Sequence, residues 1–194
     1  MRFDDIVESS PSTIEGSFSE DLIASKRWLA DEIKNLLQKE DLDSFGTIYV
    51  LGSWYGNMGV ILLSENVPFD KLINVDKKKE WLDKSEEILQ HVGIGDRLES
   101  MNKNANEIDY RQLNADGLVI NTSSQDIQGN DWFRNIPKGI YVAIQDRTAT
   151  RSSKHSNLED FDQAYPLSKT IFLGKKRLAD ETTDYVRFMK IGIK

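Results

Sequence analysis

Three glycines and one aspartate frame the chemistry open to this sequence. Gly52, Gly56 and Gly59 follow the apolar, β-branched run 47–51, and Asp76 ends a second apolar run, 72–75. Strand, glycine turn, helix, strand and terminal acid is the layout of a nucleotide-binding βαβ unit. Glycines let a backbone approach a ligand closely, and the helix that follows aims its N–H groups at it. An acid at the tip of the second strand can accept two hydrogen bonds from ribose hydroxyls. Alone, Asp76 would more simply cap the next helix, since Asp is a good N-cap. The glycines upstream tilt the reading toward ribose.

A second set of polar residues recurs at strand ends. The run 118–121 ends on Asn121 and continues as Thr122-Ser123-Ser124, and the run 140–145 ends on Gln145 and Asp146. Apolar strands with polar carboxyl ends are where open α/β sheets place ligands. Trp54 and Tyr55 project from the glycine turn and could be core packing or an aromatic wall for a cation or ring.

The elements that must position these residues follow from periodicity. Ser17 with Glu20 has capping-box spacing, and Leu22, Ile23, Trp28, Leu29, Ile33, Leu36 and Leu37 then repeat near 3.6 residues, predicting a helix to about Lys39. A short helix is expected over 58–64, a longer one after Lys77-Lys78-Lys79 that Gly93 and Gly95 stop, and a short one at Trp132 and Phe133 that Pro137 cuts off. A third strand is expected near 98–101. The runs 170–173 and 185–193 read as two strands, and the hydrophilic segment between them is too short for a crossover helix, so they pair antiparallel. The reading is a single domain over 1–194: an extended lead-in (1–16), an N-terminal helix (17–40) and an α/β core (46–194).

Composition narrows the partners. With 25 basic and 32 acidic residues the net charge is −7, so the chain has no global attraction for a phosphate backbone, and nucleic acid is not an expected partner. The chain has no cysteine, which excludes disulfides, thiolate metal sites and cysteine nucleophiles and suits a reducing cytoplasm. No apolar run approaches the roughly 20 residues of a membrane helix, and the acidic first ten residues lack the layout of a signal peptide. His91 and His155 have no partner at metal spacing and read as surface residues, so no metal is expected. No His-Asp pair can be assigned to activate a serine. The dinucleotide fingerprint G-x-G-x-x-G is not met either, because Trp54 stands at the second glycine.

Five βα units followed by a hairpin resemble the class I S-adenosylmethionine-dependent methyltransferase fold. More narrowly, the segments YVLGSWYGNMG, INVDKKKEW, LVINTSSQD with IPKG, and RFMKIGIK resemble methyltransferase-like proteins of tailed bacteriophages. The resemblance implies a Rossmann-like, mostly parallel sheet of order 3-2-1-4-5-7-6 with strand 7 antiparallel. It implies that Gly52, Ser53, Trp54 and Gly56 form the turn beneath the methionine part of S-adenosylmethionine. Asp76 would take the ribose hydroxyls, Lys77 would sit beside the adenine, and Asn104 with Ala105 would meet the adenine edge and ring. Asn121 and Thr122 would reach the transferable methyl, with Ser123, Gln145 and Asp146 on the substrate side. Asp146 or Tyr141 could accept a proton. The sequence departs from the family at Val50, where an acid is usual, at Trp54 and at Asn104.

Asn121 is followed by Thr122-Ser123-Ser124, not by the Pro-Pro-aromatic slot of base-methylating enzymes, so a small molecule or a protein side chain is the expected acceptor. The alternatives are a non-catalytic binding or assembly protein on the same fold, and an enzyme that consumes the cofactor without methyl transfer. The expected location is the cytoplasm, a host's if the chain is phage-encoded. The sequence fixes no oligomeric state.

Overall fold

The computed structural model describes residues 18–111, 113–148, 154–179 and 184–194. The expected lead-in and Ser17 lie outside them. Helix α1 (Glu20–Lys39) buries the stripe Leu29, Ile33, Leu36 and Leu37. Its N-cap is Ser19, whose hydroxyl donates to Asp21 Oδ1 at 2.6 Å and does not accept a backbone N–H. Then follow β1 (Phe45–Leu51), α2 (Asn57–Ser64), β2 (Phe69–Asp76), α3 (Lys79–His91), β3 (Leu98–Asn102), β4 (Leu118–Asn121), α4 (Asp131–Arg134), β5 (Tyr141–Arg147), α5 (Leu158–Ala164), β6 (Lys169–Ala179) and β7 (Asp184–Ile193).

The strands form one seven-stranded sheet of order β3-β2-β1-β4-β5-β7-β6. Strand β7 runs antiparallel to both β5 and β6. This is the expected order. Both faces are covered, which is why the central strands read as near-continuous apolar runs. On one face Ile48, Val50, Leu72, Ile120, Ala143 and Met189 pack under α1, α2 and α3. On the other, Leu51, Val75, Val119, Ile144 and Phe188 pack against Trp132, Phe161 and Tyr165. Each such side chain contributes about 1.5–3 kcal/mol through removal from water.

Two of the three glycines serve this packing. A Cβ on Gly56 would lie 2.3 Å from Ser85 Oγ, and one on Gly59 would lie 2.8 Å from Leu72 Cδ2. They let α2 approach α3 and the sheet closely, as the last glycine of a nucleotide fingerprint does. Asn74 Nδ2 donates to the same Ser85 Oγ at 2.7 Å, locking β2 to α3.

The hairpin differs from expectation. The segment taken as a hydrophilic connection is largely strand, because β6 continues to Ala179 and pairs with β7 as far as Asp184. Lys175, Lys176 and Arg177 are exposed there, and Arg177 pairs with Asp184 at 2.8 Å. Charged residues on a solvated edge strand carry no apolar signal and still hydrogen-bond through their backbone.

Candidate functional site

The carboxyl edge of β1, β2 and β4 gathers most of the expected site. After Leu51 the chain turns on Gly52 (φ 61°) and Trp54 (φ 51°), both left-handed. Ser53 N–H donates to the Val75 carbonyl at 3.0 Å, extending the β1–β2 pairing past the strands. Trp54 N–H donates to Asp76 Oδ2 at 3.0 Å, and Lys78 N–H to Asp76 Oδ1 at 3.0 Å. The carboxylate therefore fastens the glycine bend to the start of α3. Each oxygen keeps a second lone pair for a further donor. Next to it, Asn102 Nδ2 and Lys103 N–H both donate to the Asp76 carbonyl, drawing the β3 end to the same point.

Space and unused polar atoms sit beside this knot. A Cβ on Gly52 would meet only Ile127 Cδ1, at 4.0 Å, so here the glycine leaves room. Ser53 Oγ and Asn121 Nδ2 are buried without a hydrogen-bond partner. A buried polar group without a partner costs about 1–3 kcal/mol and marks a place where a partner is missing. Asn121 aligns with Leu51 across the β1–β4 pair, and its Oδ1 accepts the Ser123 N–H at 3.0 Å. Thr122 is buried beside it, and Ser123 is half-buried.

The indole of Trp54 does not fill that space by lying back on the bend. It lies tilted against Tyr55 at 5.1 Å and meets Trp81 edge-on at 6.1 Å, and Lys78 Nζ lies 3.8 Å from the centre of the Trp81 ring. Lys77 is exposed. Asn104 caps a short 3₁₀ turn by accepting the Asn106 N–H at 3.1 Å, and Ala105 is buried in the core.

The other half of the expected site needs correction. Tyr141 stands at the amino end of β5, beside Leu118 and packed on Phe45, at the opposite end of the sheet. Burial pushes its phenol up, with Glu40 adding to the effect, so it is a poor proton acceptor for this edge. Gln145 is fully buried and faces α1, where Nε2 donates to the Ser25 carbonyl at 3.0 Å and Oε1 accepts the Ser25 hydroxyl at 3.2 Å. It holds the helix on the sheet and does not line a surface. Gly56 belongs to helix packing.

Asp146 is also fully buried, on the opposite face. Its Oδ2 accepts the Ser124 hydroxyl at 2.8 Å and lies 3.0 Å from His155 Nδ1. His155, expected at the surface, is buried among Phe161 and Tyr165. Here the carboxylate bridges Ser124 and His155, whereas an activated serine needs the imidazole in the middle. Burial lowers the neighbouring Lys154 ammonium, which donates to the carbonyls of Ser124 and Ile127.

Sequence reasoning missed a group of cations beneath the amino half of α1. Lys26 and Arg187 are buried, and Arg147 is half-buried across the β5–β7 pair from Arg187. Arg187 Nη1 donates to the Thr122 carbonyl at 3.2 Å, and Arg147 lies 3.7 Å from the centre of the Tyr185 ring. Tyr185 OH donates to Asp21 Oδ2 at 2.5 Å. Burial acts to raise the Asp21 carboxyl, but hydrogen bonds from Ser19 and Tyr185 outweigh it and hold it below its usual value. Burial and the nearby Arg187 push the Lys26 ammonium down to about 7. The signal was present: Lys26 falls on the stripe of Leu22, Leu29 and Ile33, and Arg187 alternates in phase with Met189 and Ile191.

Among the described residues, no group of three or more His, Asp or Glu could hold a metal ion. No described helix is long and apolar enough to cross a membrane.

No protein-family model matches the sequence, and no curated protein matches it. Solved structures do. An S-adenosylmethionine-dependent methyltransferase from Leishmania major superposes with a TM-score of 0.61 over 97% of this chain and 80% of its own, at 9% identity. Magnesium protoporphyrin IX methyltransferase from Synechocystis, solved with bound S-adenosylmethionine, gives 0.56 over 87% and 80%, also at 9% identity. A Geobacter sulfurreducens methyltransferase solved with S-adenosyl-L-homocysteine gives 0.46 at 14% identity, and this chain spans 48% of its length. At these identities the likeness concerns architecture, and with the strand order it fixes the architecture: this chain has the Rossmann-like fold of class I methyltransferases.

Proposed function

We propose that the carboxyl edge of β1, β2 and β4 binds S-adenosylmethionine and that the protein transfers its methyl group to a small molecule or a protein side chain. The observation that carries this is the pairing of a buried strand-tip carboxylate, Asp76, with room for a further side-chain atom at Gly52 and two buried polar atoms, Ser53 Oγ and Asn121 Nδ2, that lack partners. These residues fit a nucleoside with an amino-acid arm. Asp76 would hold the ribose through its remaining lone pairs, and Ser53 and Asn121 would hydrogen-bond the amino-acid arm. Trp54 and Trp81 would wall the outer side. When bound, the cofactor supplies an electrophilic methyl carbon: the acceptor's lone pair forms the new bond while the carbon–sulfur bond breaks and sulfur keeps the pair. The chain's own contribution is then orientation, which can supply several kcal/mol of the barrier reduction. With Asp146 buried against Ser124 and His155, and Tyr141 at the far end of β5, an acceptor proton leaves to water.

Isothermal titration with S-adenosyl-L-homocysteine tests this. Wild type should bind saturably, and Asp76→Asn, checked for folding by circular dichroism, should bind at least about 10-fold more weakly. Absence of binding by the folded wild type sinks the reading.

One observation favours a second reading, a non-catalytic module: Gln145 and Asp146 are both fully buried and internally bonded. Mass spectrometry of a methyl-donor incubation separates the outcomes. A methylated product supports transfer, cleaved donor without one supports consumption, and an intact donor supports the module. Action in a host cytoplasm, which the phage resemblance implies, belongs to the same proposal.

A further inference from the structure

Lys26, on the buried side of α1, is near enough to Arg187 of β7 for their charges to repel, and neither makes an ion pair among the described residues. Arg187 Nε is buried and lacks an acceptor. Asp21, whose charge acts on Lys26, hydrogen-bonds the hydroxyls of Ser19 and Tyr185 and makes no ion pair with either cation. Arg147, half-buried across the β5–β7 pair from Arg187, is a third cation beside it. A buried charge is retained at a cost unless something compensates it, and two neighbouring like charges raise that cost. A guanidinium with a free edge suits a carboxylate or phosphate, which accepts paired N–H donors.

The position matters as much as the charge. Arg187 donates to the carbonyl of Thr122, one residue past Asn121. The cations therefore flank the edge where the proposed methyl donor would end. From this placement we infer that the methyl acceptor carries an oxyanion group, a carboxylate or a phosphate ester, which Lys26 and Arg187 hold beneath the amino half of α1. This rests on the methyl-transfer reading for the word acceptor, though not for the anion site itself. Burial and Arg187 lower the Lys26 ammonium by more than Asp21 raises it, which agrees with a cation short of compensating charge among the described residues.

The test uses the whole protein with inorganic phosphate, succinate and S-adenosyl-L-homocysteine as separate probes, titrated calorimetrically against chloride at matched ionic strength. At least one of phosphate and succinate should bind saturably, and the stronger of the two tells a phosphoryl from a carboxylate source. Lys26→Met, which keeps the packing volume, and Arg187→Gln should each weaken that binding at least about 10-fold. Both should leave S-adenosyl-L-homocysteine affinity within about 2-fold, which also shows that the variants are folded. If neither oxyanion binds while S-adenosyl-L-homocysteine does, the anion site falls and the cofactor reading survives. If an oxyanion binds and Lys26→Met leaves it unchanged, the assignment to this cluster is overturned. If oxyanions bind as expected and S-adenosyl-L-homocysteine does not, the anion site stands and the cofactor reading falls.

Discussion

The carboxyl edge of the sheet has two unlike halves. On β1, β2 and β4 the polar groups are short, and some remain without partners: Ser53 Oγ, Asn121 Nδ2 and the spare lone pairs of Asp76. On β5 and β7 the polar groups are turned inward. Gln145 clasps Ser25, Asp146 joins Ser124 to His155, and Arg187 reaches the Thr122 carbonyl. The difference teaches that polarity at a strand tip does not by itself mean a surface for ligands. In the first half the backbone turns away and leaves room. In the second, α1 and the segment holding His155 cover the strands, so polar side chains there bond inside the protein, although Asp146 Oδ1 and Arg187 Nε are buried without a hydrogen-bond partner.

That contrast makes opposite predictions for similar substitutions. The largest effect is expected at Gln145→Ala, which empties a buried site and strands the Ser25 hydroxyl. Urea unfolding should show a loss of about 2–4 kcal/mol. A loss below about 0.5 kcal/mol would mean that Gln145 is a surface residue after all.

Next comes Lys26→Met. The folded state holds the ammonium near 7 against a usual 10.5. Below about 7 both folded and unfolded chains are protonated, and the cost of burying the charge is felt in full. Between about 7 and 10.5 the unfolded chain binds the extra proton, so this group makes stability rise with pH. Lys26→Met should stabilise the protein by about 1–3 kcal/mol at pH 6 and flatten that rise. Urea midpoints at pH 6, 8 and 10 check both, and a destabilised variant would show that the ammonium has a counter-charge in the folded chain.

The smallest effect belongs to the open half. Ser53→Ala removes a buried hydroxyl that makes no hydrogen bond, so thermal and urea unfolding should show no loss beyond about 0.5 kcal/mol and a gain of up to about 1 kcal/mol. A larger loss would show that the two halves are built alike.

Much of the architecture was legible because it rests on patterns the chain cannot hide. The runs ending at Leu51, Asp76 and Asn121 are apolar because both faces of the sheet are covered, and the stripe of α1 repeats because only one of its sides is. The strand order came from resemblance, since nothing in a strand's own residues names its neighbour. At the site, the bend and Asp76 could be found from glycine spacing. Gly56 could not be separated from Gly52, because what distinguishes them is Ser85, 29 residues further on, standing 2.3 Å from where a Cβ would go. His155 was misjudged for a similar reason: its polar sequence neighbours suggested solvent, and Phe161 and Tyr165 enclose it through the fold. Lys26 and Arg187 were readable in phase with apolar neighbours, but a charge on a buried stripe is easily taken for a rim residue whose stem alone is covered.

The position of β7 bears on how the protein is made. It is the seventh strand along the sequence, yet it lies between β5 and β6. During synthesis the earlier strands emerge with a gap that only Asp184–Ile193 can close, leaving the backbone N–H and C=O groups along the facing edges of β5 and β6 unpaired until then. The nascent polypeptide is therefore at its most adhesive just before translation delivers the piece that seals it, and chaperones or speed must cover that interval.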